Sequence, residues 1–223
     1  MNLNPLNVST SSSVFSFAIN QALLGRSRAA VIGIGNDLDL WWSLSNFFPK
    51  LKIYESEKEW RELCQQRLSQ LQKTAILHNI NSNISPIKPY ENHFFMSALS
   101  QSRFLSSTNM SDSTKRDKIS SALLSSDLYQ ELHKQSFDWI YVDGPLGGYN
   151  SETDFQSDDN RGRMETISAS ILSLKVNDIT SFVVIDDCHR FIESQTINLW
   201  SPFLDLKNAQ SLCRNTYAFS IRK

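Results

Sequence analysis

The sequence predicts an α/β domain built on a doubly wound, mostly parallel β-sheet with helices on both faces. Short, mostly apolar segments recur along the chain at residues 28–35, 138–142 and 182–185, and residues 52–55, KIYE, form a further short strand-like segment. Segments with the apolar spacing of an amphipathic helix lie between them. Apolar strands that alternate with helices are typical of parallel sheets covered on both faces.

Length and composition fit one domain of this class. The chain has 223 residues, with 22 basic and 23 acidic side chains and a formal net charge of -1. No overall field therefore favours nucleic acid or an anionic membrane as a partner. The 3 cysteines show no metal-ligand spacing, which indicates a reducing compartment without a disulfide framework. No segment resembles a leader or a membrane span, so we expect a cytoplasmic protein.

The elements follow in order from periodicity and from helix-stop signals. Residues 1–12 are rich in Asn and Ser, and we expect a flexible N-terminus there. Helices are predicted at 14–24, 37–48, 57–71, 128–134 and 163–174. The four short segments named above are the predicted strands, and a closing strand is predicted at 217–221.

Two regions are harder to interpret. A third strand is expected either at 75–77 or at 84–90, and composition does not separate the two. Residues 100–126 are rich in Ser, Asp and Lys, which predicts an insertion or a mobile surface segment. A Gly-, Asp- and Asn-rich loop is predicted at 144–162.

A glycine-containing turn between the first strand and its helix is the first candidate site. Residues 31–37 read VIGIGND. Small residues let the backbone approach a ligand, and a helix N-terminus presents unpaired N–H groups. Glu55 ends the second strand, 22 positions after Gly33, where an acid can accept both hydroxyls of an adenosine ribose. Alternatively, the glycines serve only the geometry of a short strand–turn–helix connection.

Three aspartates form the second candidate site. Asp143 follows the strand at 138–142, and Asp186 and Asp187 follow the strand at 182–185. The ends of neighbouring parallel strands share one sheet edge, so we expect these carboxylates to converge. They would repel one another unless protonated, paired with cations or bound to a metal such as Mg²⁺, Mn²⁺ or Ca²⁺.

Structural roles for the same aspartates remain open. Asp143 can cap a turn, and Asp187 can cap a helix that starts near His189 or can pair with Arg190. His189 is the one histidine beside these acids in the sequence, and its titration near neutrality suits a general base. It can equally be a surface residue in the first turn of a helix.

The glycine segment and Glu55 together resemble motifs of the class I S-adenosylmethionine-dependent methyltransferases. In that family GxGxG follows the first strand and an acid closes the second. The resemblance implies a single Rossmann-like domain over residues 13–223, with a doubly wound, mostly parallel seven-stranded sheet, and S-adenosylmethionine as cofactor. The residues implied to contact the cofactor are Gly33, Gly35, Asn36, Glu55 and Ser56. Two positions depart from the pattern: Val31 stands where the family has an acid, and Asp37 where it often has a third glycine.

The segments VDGP and DDCHR around the three aspartates are similar to the metal site of catechol-type and sugar O-methyltransferases. They also resemble a bacterial group of methyltransferases associated with cell-surface glycans. This implies methylation of a small-molecule or glycan hydroxyl, with a divalent ion held by Asp143, Asp186 and Asp187. Asp143 and His189 are then the candidate catalytic residues.

Two other functions stay open at this point. A non-catalytic binding protein of the same fold is favoured by the missing acid at Val31. An NAD(P)-binding oxidoreductase would also use the glycines and Glu55. Against the oxidoreductase, Leu38 stands at the third glycine position of GxGxxG.

Overall fold

A computed structural model describes residues 11–34, 37–55, 58–77, 88–89, 103–144, 163–175 and 180–222. Its strands are β1 Arg28–Ile32, β2 Lys50–Glu55, β3 Lys88–Pro89, β4 Trp139–Val142, β5 Phe182–Ile185, β6 Gln210–Cys213 and β7 Thr216–Ser220. Its helices are α1 Ser12–Leu23, α2 Leu38–Ser43, α3 Lys58–Leu77, α4 Asp112–Leu123, α5 Asp127–Gln135, α6 Arg163–Ser173 and α7 Phe191–Leu199. Short 3-10 turns lie at Leu44–Asn46 and Ser201–Phe203.

The strands form one mixed sheet in the order β3-β2-β1-β4-β5-β7-β6. The pairs from β3 to β5 are parallel, whereas β7 runs antiparallel to both β5 and β6. The chain starts at β1 near the middle, winds outward through β2 and β3, and returns to β4. The switch point therefore lies between β1 and β4, where ligands of open α/β sheets bind at the carboxyl ends.

Helices cover both faces, which confirms the predicted α/β architecture. Side chains of α1, α2 and α3 share one core with alternate residues of the central strands, including Val31 and Tyr141. Side chains of α4, α5, α6 and α7 share the other core with the intervening residues, including Ile32 and Val142. Strands β4 and β5 are buried along their whole length, as expected for strands covered on both faces.

Helix α4 lies where the sequence predicts an insertion or a mobile surface segment. The Oγ of Ser111 caps this helix by accepting from the Thr114 N–H at 3.2 Å, and Asp112 adds a favourable charge to its first turn. Ile119 and Leu123 are one turn apart, and both are buried. This helix was not predicted because its sequence is rich in Ser and only a narrow apolar stripe of it is buried.

Several predicted boundaries are corrected by the structure. Helix α3 continues to Leu77, so the strand considered at 75–77 is helical, while β3 falls inside the alternative at 84–90. The helix expected at 37–48 divides into α2 and a 3-10 turn. Strand β6 escaped prediction because its residues are exposed or half-buried and it is held by pairing with β7. Within the described ranges, no helix has both the length and the apolar character needed to cross a membrane.

Candidate functional site

The turn after β1 is bound to the end of β2 by two hydrogen bonds. Gly33 has a φ of +84°, in the region that favours glycine, and its N–H donates to the Tyr54 carbonyl at 2.9 Å. The next N–H, of Ile34, donates to Glu55 Oε2 at 2.9 Å. Glu55 is 5% exposed. The acid that closes the second strand is thus built into the glycine turn, while Gly35, Asn36 and Ser56 lie outside the described residues.

The same turn touches the end of β4. A Cβ on Gly33 would lie 2.6 Å from the Gly144 Cα, and one on Gly144 would lie 2.6 Å from the Gly33 Cα. The Asp143 N–H also donates to the Ile32 carbonyl at 2.8 Å. The ends of β1, β2 and β4 therefore form one continuous surface at the switch point.

The three predicted aspartates meet at the carboxyl edge of β4 and β5. The Tyr141 hydroxyl lies between two of them, within hydrogen-bond distance of Asp186 Oδ2 at 3.2 Å and of Asp143 Oδ2 at 3.4 Å. Thr216, from β7, donates to the second oxygen of Asp186. The Asp187 carboxylate joins the group through a shared cation, because Arg163 Nη2 lies 3.5 Å from Asp187 Oδ2 and 3.5 Å from Asp143 Oδ1.

Arg163 is the residue of this site that the sequence analysis missed. It is the first residue of α6 and is 1% exposed. Its Nε lies 3.2 Å from Oε1 of Glu193, a fully buried acid of α7. The sequence carries one weak sign of this pair. Glu193 stands among apolar positions of its helix, close to Ile192 and Ile197, and an acid buried there needs a cationic partner.

Asp187 has a strained backbone and a second cation. Its φ is +57°, and its N–H donates to Asp186 Oδ1 at 2.9 Å. Arg190 Nη2 lies 2.8 Å from Asp187 Oδ2. The proposed pairing with Arg190 is present. The capping alternative is wrong, because Arg190 occupies the N-cap position of α7 and no side chain there caps the helix.

Burial and neighbouring charges raise the pKa of Asp143 to about 7. Loss of water around the half-buried carboxyl is the main cause. Arg163 acts in the opposite direction, while Asp186, Asp187 and Asp37 reinforce the rise. Asp37, first noted only as a departure from a motif, is therefore a buried member of the same electrostatic group. Burial likewise raises the pKa of Glu193, again opposed by Arg163.

Two predicted features of the site look different in the structure. His189 lies in the turn between β5 and α7 with its side chain exposed. The expectation of a metal rested on repulsion among the three carboxylates; in the structure two cations, Arg163 and Arg190, lie beside them. In the described part of the chain, no group of three or more His, Cys, Asp or Glu residues has an arrangement that could hold a metal ion.

Comparison with known proteins gives fold-level likeness. No protein-family model and no curated protein matches the chain. Among solved structures, it is similar to a protein described as a caffeoyl-CoA O-methyltransferase from Staphylococcus aureus, with 11% identity, a TM-score of 0.47, and coverage of 97% of this chain and 86% of that one. It is also similar to the N-methyltransferase NodS from Bradyrhizobium japonicum WM9, with 12% identity, a TM-score of 0.43, and coverage of 95% and 94%. Likeness at this level does not assign a function.

Proposed function

We propose that the chain is an S-adenosylmethionine-dependent methyltransferase whose cofactor lies over the carboxyl ends of β1 and β2. The hydrogen bond from Ile34 N–H to Glu55 carries this proposal. It unites the two motifs on which the family resemblance depends, the glycine turn and the acid that closes the second strand. It also lies beside the switch point of the sheet, where such folds bind ligands.

The residues present fit this cofactor. Glu55 and Ser56 would bind the ribose, and Gly33, Gly35 and Asn36 would border the methionine end. The Glu55 carboxylate ends β2 beside the glycine turn, and a carboxylate at this place can accept from both ribose hydroxyls. When bound, the cofactor supplies an electrophilic methyl group on a cationic sulfonium. The acidic residues at the neighbouring ends of β4 and β5 would attract the positive charge of this sulfonium.

For the acceptor we propose a hydroxyl of a small molecule or a sugar, held above the ends of β4 and β5. Methyl transfer is an in-line displacement, so the main tasks of the protein are orientation and the exclusion of water. Asp143 is the proposed base, because a carboxyl with a pKa of about 7 can take a proton near neutral pH. His189 is a second candidate, although its exposed side chain would have to reach the acceptor from the turn before α7.

The oxidoreductase alternative is weakened by the fold. Dinucleotide-binding sheets have the order 3-2-1-4-5-6, whereas here the antiparallel β7 separates β5 from β6. Leu38, at the position of the third fingerprint glycine, is 1% exposed and packs in the core. A non-catalytic binding protein would keep the cofactor site and lack turnover.

Calorimetric titration of the full chain with S-adenosylmethionine, S-adenosylhomocysteine and NAD tests the proposal. We expect binding of the first two and none of NAD. Methyl transfer is then assayed with isotopically labelled cofactor against catechols, simple sugars and oligosaccharides. Binding of NAD alone would overturn the proposal. Cofactor binding without transfer to any hydroxyl acceptor would favour the non-catalytic alternative.

A further inference from the structure

One buried guanidinium lies at the centre of the acidic edge. Arg163 contacts acids on three different elements: Asp143 at the end of β4, Asp187 after β5, and Glu193 in α7. These N–O distances are 3.2 to 3.5 Å. A divalent ion bound by this edge would need two of these carboxylates at the point where Arg163 already places its positive charge.

Three of the other four oxygens of the predicted ligand set also have donors, namely both oxygens of Asp186 and Asp143 Oδ2. Asp186 accepts from Tyr141, from Thr216 and from the Asp187 N–H. Asp187 has Arg190 at 2.8 Å in addition to Arg163. Metal-binding carboxylates must direct oxygens toward a single point and leave them available there. Here the oxygens are directed toward hydrogen-bond donors and guanidinium groups of the protein, so the set does not fit a hard dication.

The position of Arg163 is fixed on several sides. Its side chain is fully enclosed, and Glu193 Oε1 lies 3.2 Å from Nε on the side of α7. The helix that carries it is attached to the end of β4, because Thr166 Oγ1 lies 3.1 Å from the Gly144 carbonyl and 3.1 Å from the Arg163 carbonyl. Within the described part of the chain, the guanidinium is therefore enclosed and lies among acids of three elements.

We propose that Arg163 is the resident cation of this edge: it holds Asp143 and Asp187 side by side and takes the place of a divalent metal. Arg163 is a positioning residue, since it acts through the two aspartates. The inference depends on the charges and distances of the edge. It holds whether or not the chain transfers methyl groups, and it predicts an edge that is indifferent to chelators.

The test is titration of the full chain with Mn²⁺ alone, followed by calorimetry and by the paramagnetic resonance signal of free Mn²⁺. No cofactor or acceptor is added, so failure of the proposed methyltransferase function cannot be confused with failure here. Wild type is expected to show no specific binding up to about 1 mM Mn²⁺. Stoichiometric binding to wild type at micromolar Mn²⁺ that is lost in Asp187→Asn would overturn the proposal, whatever the variants do.

The second arm removes the cation without leaving Glu193 unpaired. Arg163→Met with Glu193→Leu replaces the buried pair by apolar side chains, an exchange that folded proteins often tolerate. This double variant should bind Mn²⁺ at least roughly tenfold more tightly than wild type, because the repelling charge is gone. Adding Asp187→Asn should abolish the gain.

The matched control is Arg67→Met with Asp39→Leu, an exposed pair elsewhere on the surface, and it should not change Mn²⁺ binding. Circular dichroism and a cooperative thermal transition establish that each variant is folded. A folded Arg163→Met, Glu193→Leu variant with the Mn²⁺ affinity of wild type would contradict the proposal.

Discussion

Gly33 and Gly144 lie in backbone contact where the turn after β1 meets the end of β4. A Cβ on Gly33 would be 2.6 Å from both Cα and N of Gly144. Real Cβ atoms do not approach backbone so closely, so neither position accepts a side chain without a shift of one strand end. The contact joins the proposed cofactor turn to the edge that carries Asp143, so a side chain added on either strand end would displace the other.

The first prediction concerns this contact. Gly33→Ala should lower the free energy of unfolding by about 2–4 kcal/mol, because it adds a positive-φ penalty to the collision with Gly144. It should also weaken S-adenosylmethionine binding, since the turn must move. Urea denaturation measures the first effect and calorimetry the second.

Two variants separate the contributions. Gly25 has a φ of +91° with nothing within 4 Å of its would-be Cβ, so Gly25→Ala should cost only about 1–2 kcal/mol. Gly144→Ala introduces the same collision at a residue whose φ is not positive. If Gly33→Ala costs no more than Gly25→Ala, the close approach of the two loops is not present in solution.

The second prediction concerns the buried pair of Arg163 and Glu193. Arg163→Met should lower the free energy of unfolding by about 3–5 kcal/mol, because it leaves Glu193 as an uncompensated charge in the core. Glu193→Leu should cost less, because Asp143 and Asp187 remain beside Arg163. Removing both partners should recover part of the loss caused by Arg163→Met. Arg163 Nε and Nη1 and both carboxylate oxygens of Glu193 have no hydrogen-bond partner among the described residues, so the ion pair recovers its desolvation cost incompletely.

Denaturant titration of the four proteins gives the coupling free energy as a double-mutant cycle. The exposed pair Arg67 and Asp39 is the control, and its coupling should be about 0–1 kcal/mol. Additive losses at Arg163 and Glu193 would mean that the two side chains do not interact.

The strand ends that build the site were predictable from sequence because their signal is local. Each of β1, β4 and β5 is a short apolar run, and the residues after it follow by counting. Parallel pairing then brings the ends to one edge, which is why the convergence of Asp143 with Asp186 could be inferred without coordinates.

The charge balance of the edge was not predictable, because its signal is non-local. Arg163 and Glu193 lie 30 positions apart on different helices, and their pairing depends on how α6 packs against α7. Helix α4 was hidden for a related reason. Its surface positions are mostly Ser, Lys and Asp, and the burial of Ile119 and Leu123 is decided by the neighbouring helices.

The third prediction follows from the raised pKa of Asp143. Between its ordinary value of 3.8 and about 7, the folded protein keeps a proton that the unfolded chain has released. This contribution to the free energy of unfolding therefore falls as the pH rises from about 4 to about 7 and is level above that. The slope is at most about 1.4 kcal/mol per pH unit.

Asp143→Asn removes this titration, so the variant should gain stability relative to wild type as the pH rises from 5 to 8. Urea denaturation at intervals across that range measures the difference. Asp205→Asn is the control. The side-chain hydrogen bond from Asn208 lowers the pKa of Asp205, so its stabilising contribution is lost only in more acidic solution. Parallel pH profiles for wild type and Asp143→Asn would show that Asp143 ionises normally in the fold.

The last prediction tests the role of Glu55 in cofactor binding. Glu55→Ala removes both a charged acceptor for ribose hydroxyls and the acceptor for the Ile34 N–H, so a loss of affinity could come from a displaced turn alone. Glu55→Gln separates the two, because its amide oxygen can still accept from Ile34 while the negative charge is gone. We expect Glu55→Gln to weaken S-adenosylmethionine binding by about 1–3 kcal/mol with little change in stability, and Glu55→Ala to reduce both the affinity and the stability.

The control is Glu62→Gln, an exposed acid-to-amide change on α3, which should leave the affinity for S-adenosylmethionine unchanged. Calorimetric titration of the three variants with S-adenosylmethionine measures these affinities. Wild-type affinity in Glu55→Gln would show that this acid only supports the turn, and the ribose contact would then have to be sought elsewhere on the edge.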